Sequence, residues 1–276
     1  MELERALAAR AQSGGPGTPS VRVLAKGDGW TVEDVICTSG PRDRAFEERH
    51  SRISVAIVVA GTFQYSRELM TPGSLLLGSA GQCFECRHDH GAGDRCISFG
   101  YTPEYFESLV ATDRKFPVLR VPPIRASAPL VASAFSALSG AEFLNWEELS
   151  IKVAARAIQL AAGDSADRFS APNAIARISS SVRDIEQDPS AGHSLTTLAA
   201  QARLSPYHFL RSFEQVTGVT PHQYILRARL RHVALRLRQP NRIVDIALDA
   251  GFGDLSNFNR TFRAEFGVTP RAFRAK

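Results

Sequence analysis

Apolar residues are spaced in two ways along this chain, and the spacing changes near residue 101. From residue 21 to about 101, short runs rich in Val, Ile, Leu and Phe are separated by Gly, Pro and Asp, as in SVAIVVA, GTFQYS, GSLLLG and RCISFGY. Runs of this length and punctuation are typical of strands in a small β-barrel or sandwich. The first part of the chain is therefore predicted to be a sheet-rich domain.

Beyond Thr102 the apolar spacing becomes helical. TPEYFESLV, PLVASAFSALSG and NWEELSIKVAARAIQLAAG predict three helices, and ADRFSAPN at 166–173 has the composition of a linker. From residue 174 onward, seven further segments have helical spacing. We therefore predict an α+β protein with a first domain over 1–165, a linker over 166–173 and an all-α domain of seven helices over 174–276.

The all-α part contains an internal repeat. Gly-Val-Thr-Pro occurs at 218–221 and again at 267–270, and each copy is followed by an aromatic residue, Tyr224 or Phe273. Such a stretch predicts a helix that ends at a left-handed glycine and a next helix that begins with a Thr cap and a Pro. The same offset of 49 residues aligns Phe209 with Phe258 and Phe213 with Phe262. These four phenylalanines, and Trp30 in the first domain, are expected in the core.

Each repeat has the pattern of a helix-turn-helix. A short helix and a tight turn precede a second helix that is apolar on one face and carries Arg, Asn and Ser on the other. Small residues at the helix crossings allow close approach: Ala199, Ala202, Ala247 and Ala250. One long helix, from Thr220 to about Arg238, joins the two helix-turn-helix motifs. The second helix of each motif is its reading helix, and the two reading helices could enter successive major grooves about 34 Å apart.

Charge is concentrated in the same region. The chain carries a net charge of +5, but residues 174–276 contain 15 Lys and Arg against 8 Asp and Glu, whereas residues 1–173 contain 18 against 20. Arginine supplies 14 of those 15 cations. A basic segment beside a nearly neutral one indicates a polyanionic partner for the basic segment.

The last hundred residues resemble the DNA-binding domain of the AraC/XylS family of bacterial transcriptional regulators. The resemblance is carried by LSPYHFLRSFEQVTGVTPHQYILRARL and IVDIALDAGFGDLSNFNRTFRAEFGVTPRAFR. It implies a regulator rather than an enzyme, which binds double-stranded promoter DNA and, if it activates, contacts RNA polymerase. The family's base-contacting positions fall on Tyr207, Leu210, Arg211, Ser256, Asn257, Asn259 and Arg260.

The side chains at these positions suit the edges of bases. Arg211 and Arg260 can each make two hydrogen bonds to guanine, whereas Asn257 and Asn259 suit adenine and Leu210 can pack only against a thymine methyl. The remaining arginines are expected to hold phosphates. The alternative is that any one of these polar side chains is part of a solvated helix face.

The resemblance extends less closely to the first domain. Members of the family often carry a cupin-like sensing barrel followed by helices that dimerise, which implies a cupin-like β-barrel with flanking helices and a homodimer. The two cupin metal motifs fall on Glu48, His50, Ser54 and Gly61, and on Gly73, Ser79, Gly81 and Phe84. Because Ser54 and Phe84 stand at ligand positions, the usual cupin metal and an oxygenase-like activity are not expected.

A Cys/His-rich stretch, CFECRHDHGAGDRC at 83–96, replaces the second motif. In an extended strand Cys86, His88 and His90 would share one face, although they would span about 13 Å. The GAGD turn could bring Cys96 beside them, and His50 could complete a site for Zn²⁺ or another transition metal. The alternatives are polar strand residues with inert thiols, a pocket for a small organic effector, or a redox-reactive thiol.

Three questions about the first domain stay open at this point. The apolar positions of the 146–163 stretch, namely Val153, Ala154, Ile158 and Leu160, could form a dimer interface or cover the barrel. The domain could sense a signal that is passed across the linker, or it could be only a dimerisation module. A metalloenzyme tethered to DNA and a thiol-based DNA repair protein are rival readings.

The N-terminal residues and the apolar runs bear on location. The opening MELERALAARAQSGGPGTPS lacks a signal-peptide pattern, and no run approaches the 18 or so apolar residues of a membrane span. We therefore expect a cytoplasmic protein with no membrane partner.

Overall fold

The computed structural model describes residues 2–109, 115–138, 145–163, 172–237 and 239–275. The chain divides into two compact units. The first unit comprises Met1–Pro123 and Asn145–Pro172, and the second comprises Ile124–Leu144 and Asn173–Lys276. Within the described residues, no helix is long and apolar enough to cross a membrane.

Two antiparallel sheets form the body of the first unit. The strands are β1 (Pro19–Gly27), β2 (Trp30–Cys37), β3 (Phe46–Arg49), β4 (Ile53–Gly61), β5 (Phe63–Tyr65), β6 (Glu68–Met70), β7 (Leu75–Gly78), β8 (Cys83–Arg87), β9 (Asp94–Tyr101) and β10 (Arg120–Val121). The six-stranded sheet has the order β1-β2-β9-β4-β7-β10, and the four-stranded sheet has the order β3-β8-β5-β6. The four apolar runs SVAIVVA, GTFQYS, GSLLLG and RCISFGY overlap β4, β5, β7 and β9, respectively, as predicted.

Pairing between β2 and β9 fixes residues that matter for the cavity described below. Cys37, the last residue of β2, lies directly opposite Asp94, the first residue of β9, and Val35 lies opposite Cys96. Because side chains alternate along a strand, Asp94 and Cys96 project to the same face of the sheet as Cys37. Trp30, at the other end of β2, is buried, as predicted.

Three helices belong to the first unit: α1 (Glu2–Ser13), α2 (Pro103–Leu109) and α4 (Trp146–Gly163). Helix α1 was not predicted from the sequence; it buries none of its residues fully and is held by an ion pair of 2.7 Å between Arg10 and Asp43. Helix α4 packs on β2, β4 and β10, and its residues Val153 and Ala154 are fully buried. The part of its apolar face at Val153 and Ala154 therefore covers the sheet.

The second unit is helical in all of its described elements. They are α3 (Ala128–Leu138), preceded by a short 3-10 turn, then α5 (Pro172–Gln187), α6 (Leu195–Gln201), α7 (Pro206–Thr217), α8 (Pro221–Arg236), α9 (Ile243–Asp249), α10 (Leu255–Phe266) and α11 (Pro270–Arg274). The four phenylalanines of the repeat are buried, as predicted. The predicted linker 166–173 lies outside the described residues except for its last two, which begin α5.

Helix α3 groups with the second unit, whereas the sequence placed it in the first domain. Ala132 of α3 belongs to the same apolar cluster as Leu230 and Val233 of α8 and Phe262 of α10. Arg125, just before α3, donates from Nε to the Ala264 carbonyl at 2.8 Å. This grouping depends on contacts distant in sequence, which helical spacing alone does not reveal.

The repeated Gly-Val-Thr-Pro stretches have the same structure in both copies. Gly218 and Gly267 end α7 and α10 with φ angles of 80° and 75°, in the left-handed region. The hydroxyls of Thr220 and Thr269 accept the amides of Gln223 and Ala272, at 3.3 Å each, and so begin α8 and α11. The repeat therefore marks two equivalent helix-to-helix junctions.

Helix α8 ties the second unit together, and it is buried on several sides. Tyr224 contacts Phe213 of α7, with ring centroids 5.6 Å apart, whereas Leu230 packs with the aromatic cluster of α10. Arg231 pairs with Glu186 of α5 at 2.5 Å, and Arg227 pairs with Glu265 of α10 at 3.0 Å. This helix therefore fixes α7 and α10 relative to each other.

Candidate nucleic-acid interface and the cavity of the first unit

Helices α6 and α7, and again α9 and α10, are joined by matching turns. In each turn one residue is left-handed, Arg203 with φ of 53° and Gly251 with φ of 85°. The next amide bonds back to the first helix, Leu204 to the Ala199 carbonyl at 2.9 Å and Phe252 to the Ala247 carbonyl at 3.1 Å. Because the turns match, both pairs of helices have the helix-turn-helix arrangement.

The exposed face of α7 carries the first group of predicted base contacts. Tyr207 is 62% exposed, Arg211 is exposed, and Leu210 between them is half-buried. The Arg211 guanidinium lies 5.9 Å from the centre of the Tyr207 ring and donates to its hydroxyl at 3.4 Å. Ser205 caps the helix by accepting the His208 amide at 3.3 Å. The Arg211 side chain is thus held along the outer face of α7.

The exposed face of α10 carries the second group. Ser256, Asn257, Asn259 and Arg260 are all exposed. The Asp254 carboxylate caps this helix by accepting the Asn257 amide at 2.7 Å, and Arg260 donates to the Asn257 side-chain oxygen at 3.1 Å. The opposite face, with Phe258 and Phe262, is fully buried. These four polar side chains of α10 therefore lie outside the core of the second unit.

Several arginines that were predicted to contact DNA phosphates instead form hydrogen bonds and ion pairs within the second unit. Arg229 donates to the carbonyls of Pro189, Gly251 and Ala191, at 2.8, 3.0 and 3.3 Å. Arg274 donates to the carbonyls of Leu237 and Asn241, at 2.7 and 2.8 Å. These cations, like Arg227 and Arg231, hold helices together. Exposed cations such as Arg242, Arg263 and Arg271 are the ones available for phosphates.

A cavity of about 510 Å³ lies between the two sheets of the first unit. Its walls are largely apolar, with Val35, Phe46, Phe63 and Leu76 among them. Several polar side chains interrupt this lining, and two groups of them lie around His50 and His88; Thr31, Glu33, Arg52 and Ser98 also line the cavity. Mostly apolar walls with a few placed polar groups are typical of small-molecule sites.

The first polar group joins His50 to Tyr65. His50 Nε2 and the Tyr65 hydroxyl lie 2.5 Å apart, Ser54 bonds to His50 Nδ1 at 3.3 Å, and the Phe84 ring stacks on the imidazole at 4.4 Å between centroids. Burial lowers the pKa of His50 to about 4, so that the imidazole is neutral at physiological pH. Burial likewise raises the pKa of Tyr65. This group therefore offers neutral hydrogen-bonding partners.

The second polar group consists of Cys37, His88 and Asp94. All three are buried, and their donor atoms lie within 4.8 Å of one another. Burial alone would lower the pKa of His88, but hydrogen bonds with Asp94 and Cys37 outweigh it and raise that pKa to about 9. Burial also raises the pKa of Asp94, which lies 2.5 Å from His88. The raised pKa of His88 favours a protonated imidazole near neutral pH, hydrogen-bonded to the Asp94 side chain.

The structure does not assemble the five predicted metal ligands as a set. Of these, only His88 belongs to the donor cluster found among the described residues. His50 bonds to Tyr65, and His90 bonds to Thr62 at 2.6 Å. Cys86 and Cys96 are buried in the cavity wall, but outside that cluster. The reason is that β8 ends at Arg87, so the strand alternation assumed for His88 and His90 does not continue.

Cys37 and Asp94 are the cavity residues that sequence reasoning missed. They are 57 positions apart, and only the pairing of β2 with β9 places them opposite each other. Cys37 ends an apolar strand and Asp94 begins another, and this local feature of the sequence could have drawn attention to them.

Burial raises the pKa of the Cys96 thiol, which disfavours its reaction as a thiolate.

Comparison with known proteins agrees with the geometry of the second unit. Residues 198–276 match a family model described as a helix-turn-helix domain. The transcriptional activator RhaS of Klebsiella pneumoniae strain 342 is 41% identical over 78 residues, which cover 28% of each chain. The probable transcription factor PqrA of Proteus vulgaris is 34% identical over 84 residues, 30% of this chain and 69% of that one. The chain belongs to the AraC/XylS family. An AraC-type regulator from Chromobacterium violaceum, of solved structure, is 31% identical over 36% of this chain and 90% of that chain, with a TM-score of 0.35.

The curated relatives match only part of the length of this AraC/XylS family member. The chain spans only 28% of the length of RhaS and 33% of MtrA from Neisseria gonorrhoeae. The family model begins at residue 198 and so covers α6 from its fourth residue onward. The first unit therefore lies outside the residues that the family model matches.

Proposed function

We propose that this protein is a transcriptional regulator that binds specific sequences of double-stranded promoter DNA through α7 and α10. The observation that carries the proposal is the pair of matching helix-turn-helix units, each with a buried aromatic face and an exposed polar face. The arginine-rich composition of residues 174–276 supports a polyanionic partner. The regulators RhaS and PqrA share this part of the chain.

Each exposed side chain has a role in this proposal. Arg211 and Arg260 recognise guanine, Asn257 and Asn259 recognise adenine, and Leu210 contacts a thymine methyl. Tyr207 and Ser256 lie in the first turns of the two reading helices, where side chains reach bases or adjoining phosphates. The hydrogen bonds within the pairs Arg211–Tyr207 and Arg260–Asn257 orient the guanidinium groups before DNA is bound.

The first unit is proposed to be a cupin-like barrel that receives the signal. The cavity between its two sheets is of a size that accepts a small effector. In the predicted organisation, the sensing domain covers 1–165, a linker 166–173 passes the signal on, and seven helices make up 174–276. The grouping of α3 with the second unit adds a segment of 124–144 to the part that binds DNA.

The proposed regulator acts as a homodimer on paired half-sites in the cytoplasm, and contacts RNA polymerase where it activates. Because Val153 and Ala154 are covered within the first unit, a dimer would use other residues. Ile151, which is 38% exposed, and the half-buried Ile158 lie two helical turns apart on one side of α4. Together with the half-buried Leu160, they are aliphatic residues of α4 with exposed surface that remains available for a partner.

Binding of the whole chain to labelled duplex DNA tests the proposal. If several exposed arginines neutralise phosphates, the logarithm of the association constant falls with the logarithm of salt concentration, with a slope of about −0.9 for each phosphate contact. Fluorescence anisotropy between low and moderate salt gives that slope. A flat response, or no binding at low salt, would contradict DNA binding.

A further inference from the structure

The cluster of Cys37, His88 and Asp94 in the first unit has no part in DNA binding. The three side chains are between 4% and 5% exposed, and each offers one donor atom: a sulfur, an imidazole nitrogen and a carboxylate oxygen. Ionisable groups are rarely buried together unless they are paired or hold a metal ion. We propose that Cys37, His88 and Asp94 bind one divalent transition-metal ion, with zinc as the preferred metal.

The donors come from both sheets of the unit. Cys37 and Asp94 lie opposite each other at one end of the β2–β9 pair, and His88 follows the end of β8 in the other sheet. Residues set by paired strands are held more rigidly than residues on loops. A metal ion at this point would link the two sheets at one end of the cavity.

Neighbouring side chains hold two of the donors in place. The Phe63 ring stacks on the His88 imidazole, with centroids 5.8 Å apart and planes 25° apart. The Cys37 thiol donates to the Ser39 hydroxyl at 3.3 Å, which in turn donates to the Gly17 carbonyl at 3.1 Å. Such support from outside the ligand set orients ligands and tunes metal affinity.

The donor types select the class of metal. One thiolate, one imidazole and one carboxylate suit Zn²⁺ and similar borderline cations, whereas Mg²⁺ and Ca²⁺ prefer oxygen ligands alone. With bonds of about 2.0–2.3 Å to zinc, tetrahedral ligand atoms lie roughly 3.5 Å apart. The His88 and Asp94 atoms, now 2.5 Å apart, must therefore separate by about 1 Å as the ion replaces the proton between them.

The fourth coordination position faces the cavity. Cys37, His88 and Asp94 all line it, together with Cys96, whose sulfur lies 3.7 Å from the second Asp94 oxygen. Three protein ligands with one position open are typical of zinc sites that bind a further molecule. The ion would thus be accessible to water or to a donor atom of a molecule in the cavity.

Cobalt titration tests this site without any DNA. The full chain is freed of metal with a chelator under reducing conditions and titrated with Co²⁺, whose thiolate complexes absorb characteristically. We expect one equivalent to bind with a sulfur-to-cobalt charge-transfer band, and Zn²⁺ to displace it. Elemental analysis of the zinc-loaded chain should give one zinc per chain.

Three variants separate the cluster from the other thiols. Cys37→Ser should remove the charge-transfer band, and Asp94→Asn should weaken binding by more than about tenfold, since losing a ligand costs at least as much as losing its supporting residue. Cys83→Ser is the matched control, because Cys83 is exposed on β8. Circular dichroism checks that each variant is folded.

X-ray absorption at the zinc edge of the wild-type chain requires no variant. The proposal expects one sulfur ligand, with the remaining ligands nitrogen and oxygen. Failure of the wild-type chain to bind cobalt or zinc would overturn the proposal, as would a site without sulfur or one lost in Cys83→Ser. None of these outcomes depends on whether the second unit binds DNA.

Discussion

The two helix-turn-helix turns place a left-handed residue at the same position but with different side chains. Arg203 occupies it in the first unit of the repeat and Gly251 in the second, with φ angles of 53° and 85°. A side chain at a left-handed position costs about 1–2 kcal/mol. Gly251 also lies against Arg229, which ties this turn to the 189–191 loop.

Gly251→Ala is therefore expected to destabilise the second unit by about 1–2 kcal/mol. The new Cβ would lie 3.0 Å from the Arg229 guanidinium carbon and 3.2 Å from the Ser190 carbonyl, in addition to the backbone strain. Gly253→Ala is the control, because a Cβ there meets nothing within 4 Å. Urea unfolding followed by circular dichroism should show a lower midpoint for Gly251→Ala alone, and equal midpoints would contradict this account of the turn.

His50 predicts a pH dependence for the first unit. Its pKa is lowered by burial from 6.5 to about 4, so the unfolded chain binds a proton that the folded chain does not. Stability from this group is therefore present above about pH 6.5 and is lost as the pH falls towards 4. Between these values, the urea midpoint should fall less steeply in His50→Gln than in the wild type. The exposed His222, changed to Gln, serves as control, and parallel curves for all three proteins would exclude a buried neutral His50.

Arg260 tests whether α10 reads bases. Arg260→Ala should lower affinity for a preferred duplex by about 1–3 kcal/mol, or about 5- to 150-fold, and relax the preference at one base pair. Competition binding with duplexes substituted at each position gives both quantities. A uniform loss on all sequences would instead make Arg260 a phosphate contact. Lys152→Ala removes an exposed charge from the first unit and should leave both quantities unchanged.

The sequence predicted residues whose role is local better than residues whose role depends on sheet register. Glycines 218 and 267 and the threonines after them could be placed because a cap involves only neighbours within four residues. Cys37 and Asp94 could not be paired, because β-strand register is set by contacts far apart in sequence. The metal cluster predicted from the sequence took four of its five ligands from 83–96 and omitted both, although Asp94 lies within that stretch.

At the element scale, α7, α8, α10 and α11 begin or end at the Gly-Val-Thr-Pro junctions. Thr220 both accepts the Gln223 amide and has its own amide bonded to the Gln223 side chain, at 3.3 and 3.2 Å. Thr269 makes the corresponding bond to Ala272. These caps fix where the helix following each reading helix starts.

Removing either cap should weaken the second unit. Thr220→Ala and Thr269→Ala are each expected to cost about 0.5–2 kcal/mol, since an unpaired helix amide is left at the first turn. Thr196→Ala, in the exposed first turn of α6, is the control. Thermal unfolding should show lower transition temperatures for both cap variants and not for the control. A control as unstable as the cap variants would show that the loss is not specific to the caps.

Elements were predictable where their pattern was strong. The amphipathic faces of α7 and α10 and the apolar runs of β4 and β9 follow directly from periodicity. Helix α1 was missed, although its less exposed residues, Leu3, Ala6, Leu7 and Arg10, recur at helical spacing; none of them is fully buried. Helix α3 was recognised as a helix, but its partner was not, because the partner of an apolar face is not written in that face.

The main feature of the second unit is its internal repeat, and the main feature of the first unit is its cavity. The family resemblance in the sequence reached the DNA-binding unit with its motifs intact, so its fold and exposed faces could be anticipated. The first unit shares less with known motifs, and its two polar groups became visible only when both sheets were in place. Signal and DNA recognition are therefore to be tested separately.

Sequence-specific DNA binding through α7 and α10 is tested most directly by selecting preferred sequences from a random duplex library, once with the wild-type chain and once with Arg211→Ala. Two reading helices on one rigid unit predict two short blocks of preferred bases whose centres lie about one helical turn, or roughly 10 base pairs, apart. The variant should lose preference within one block and keep the other. Enrichment of no sequence, or of a single block that Arg211→Ala leaves unchanged, would contradict the proposed function.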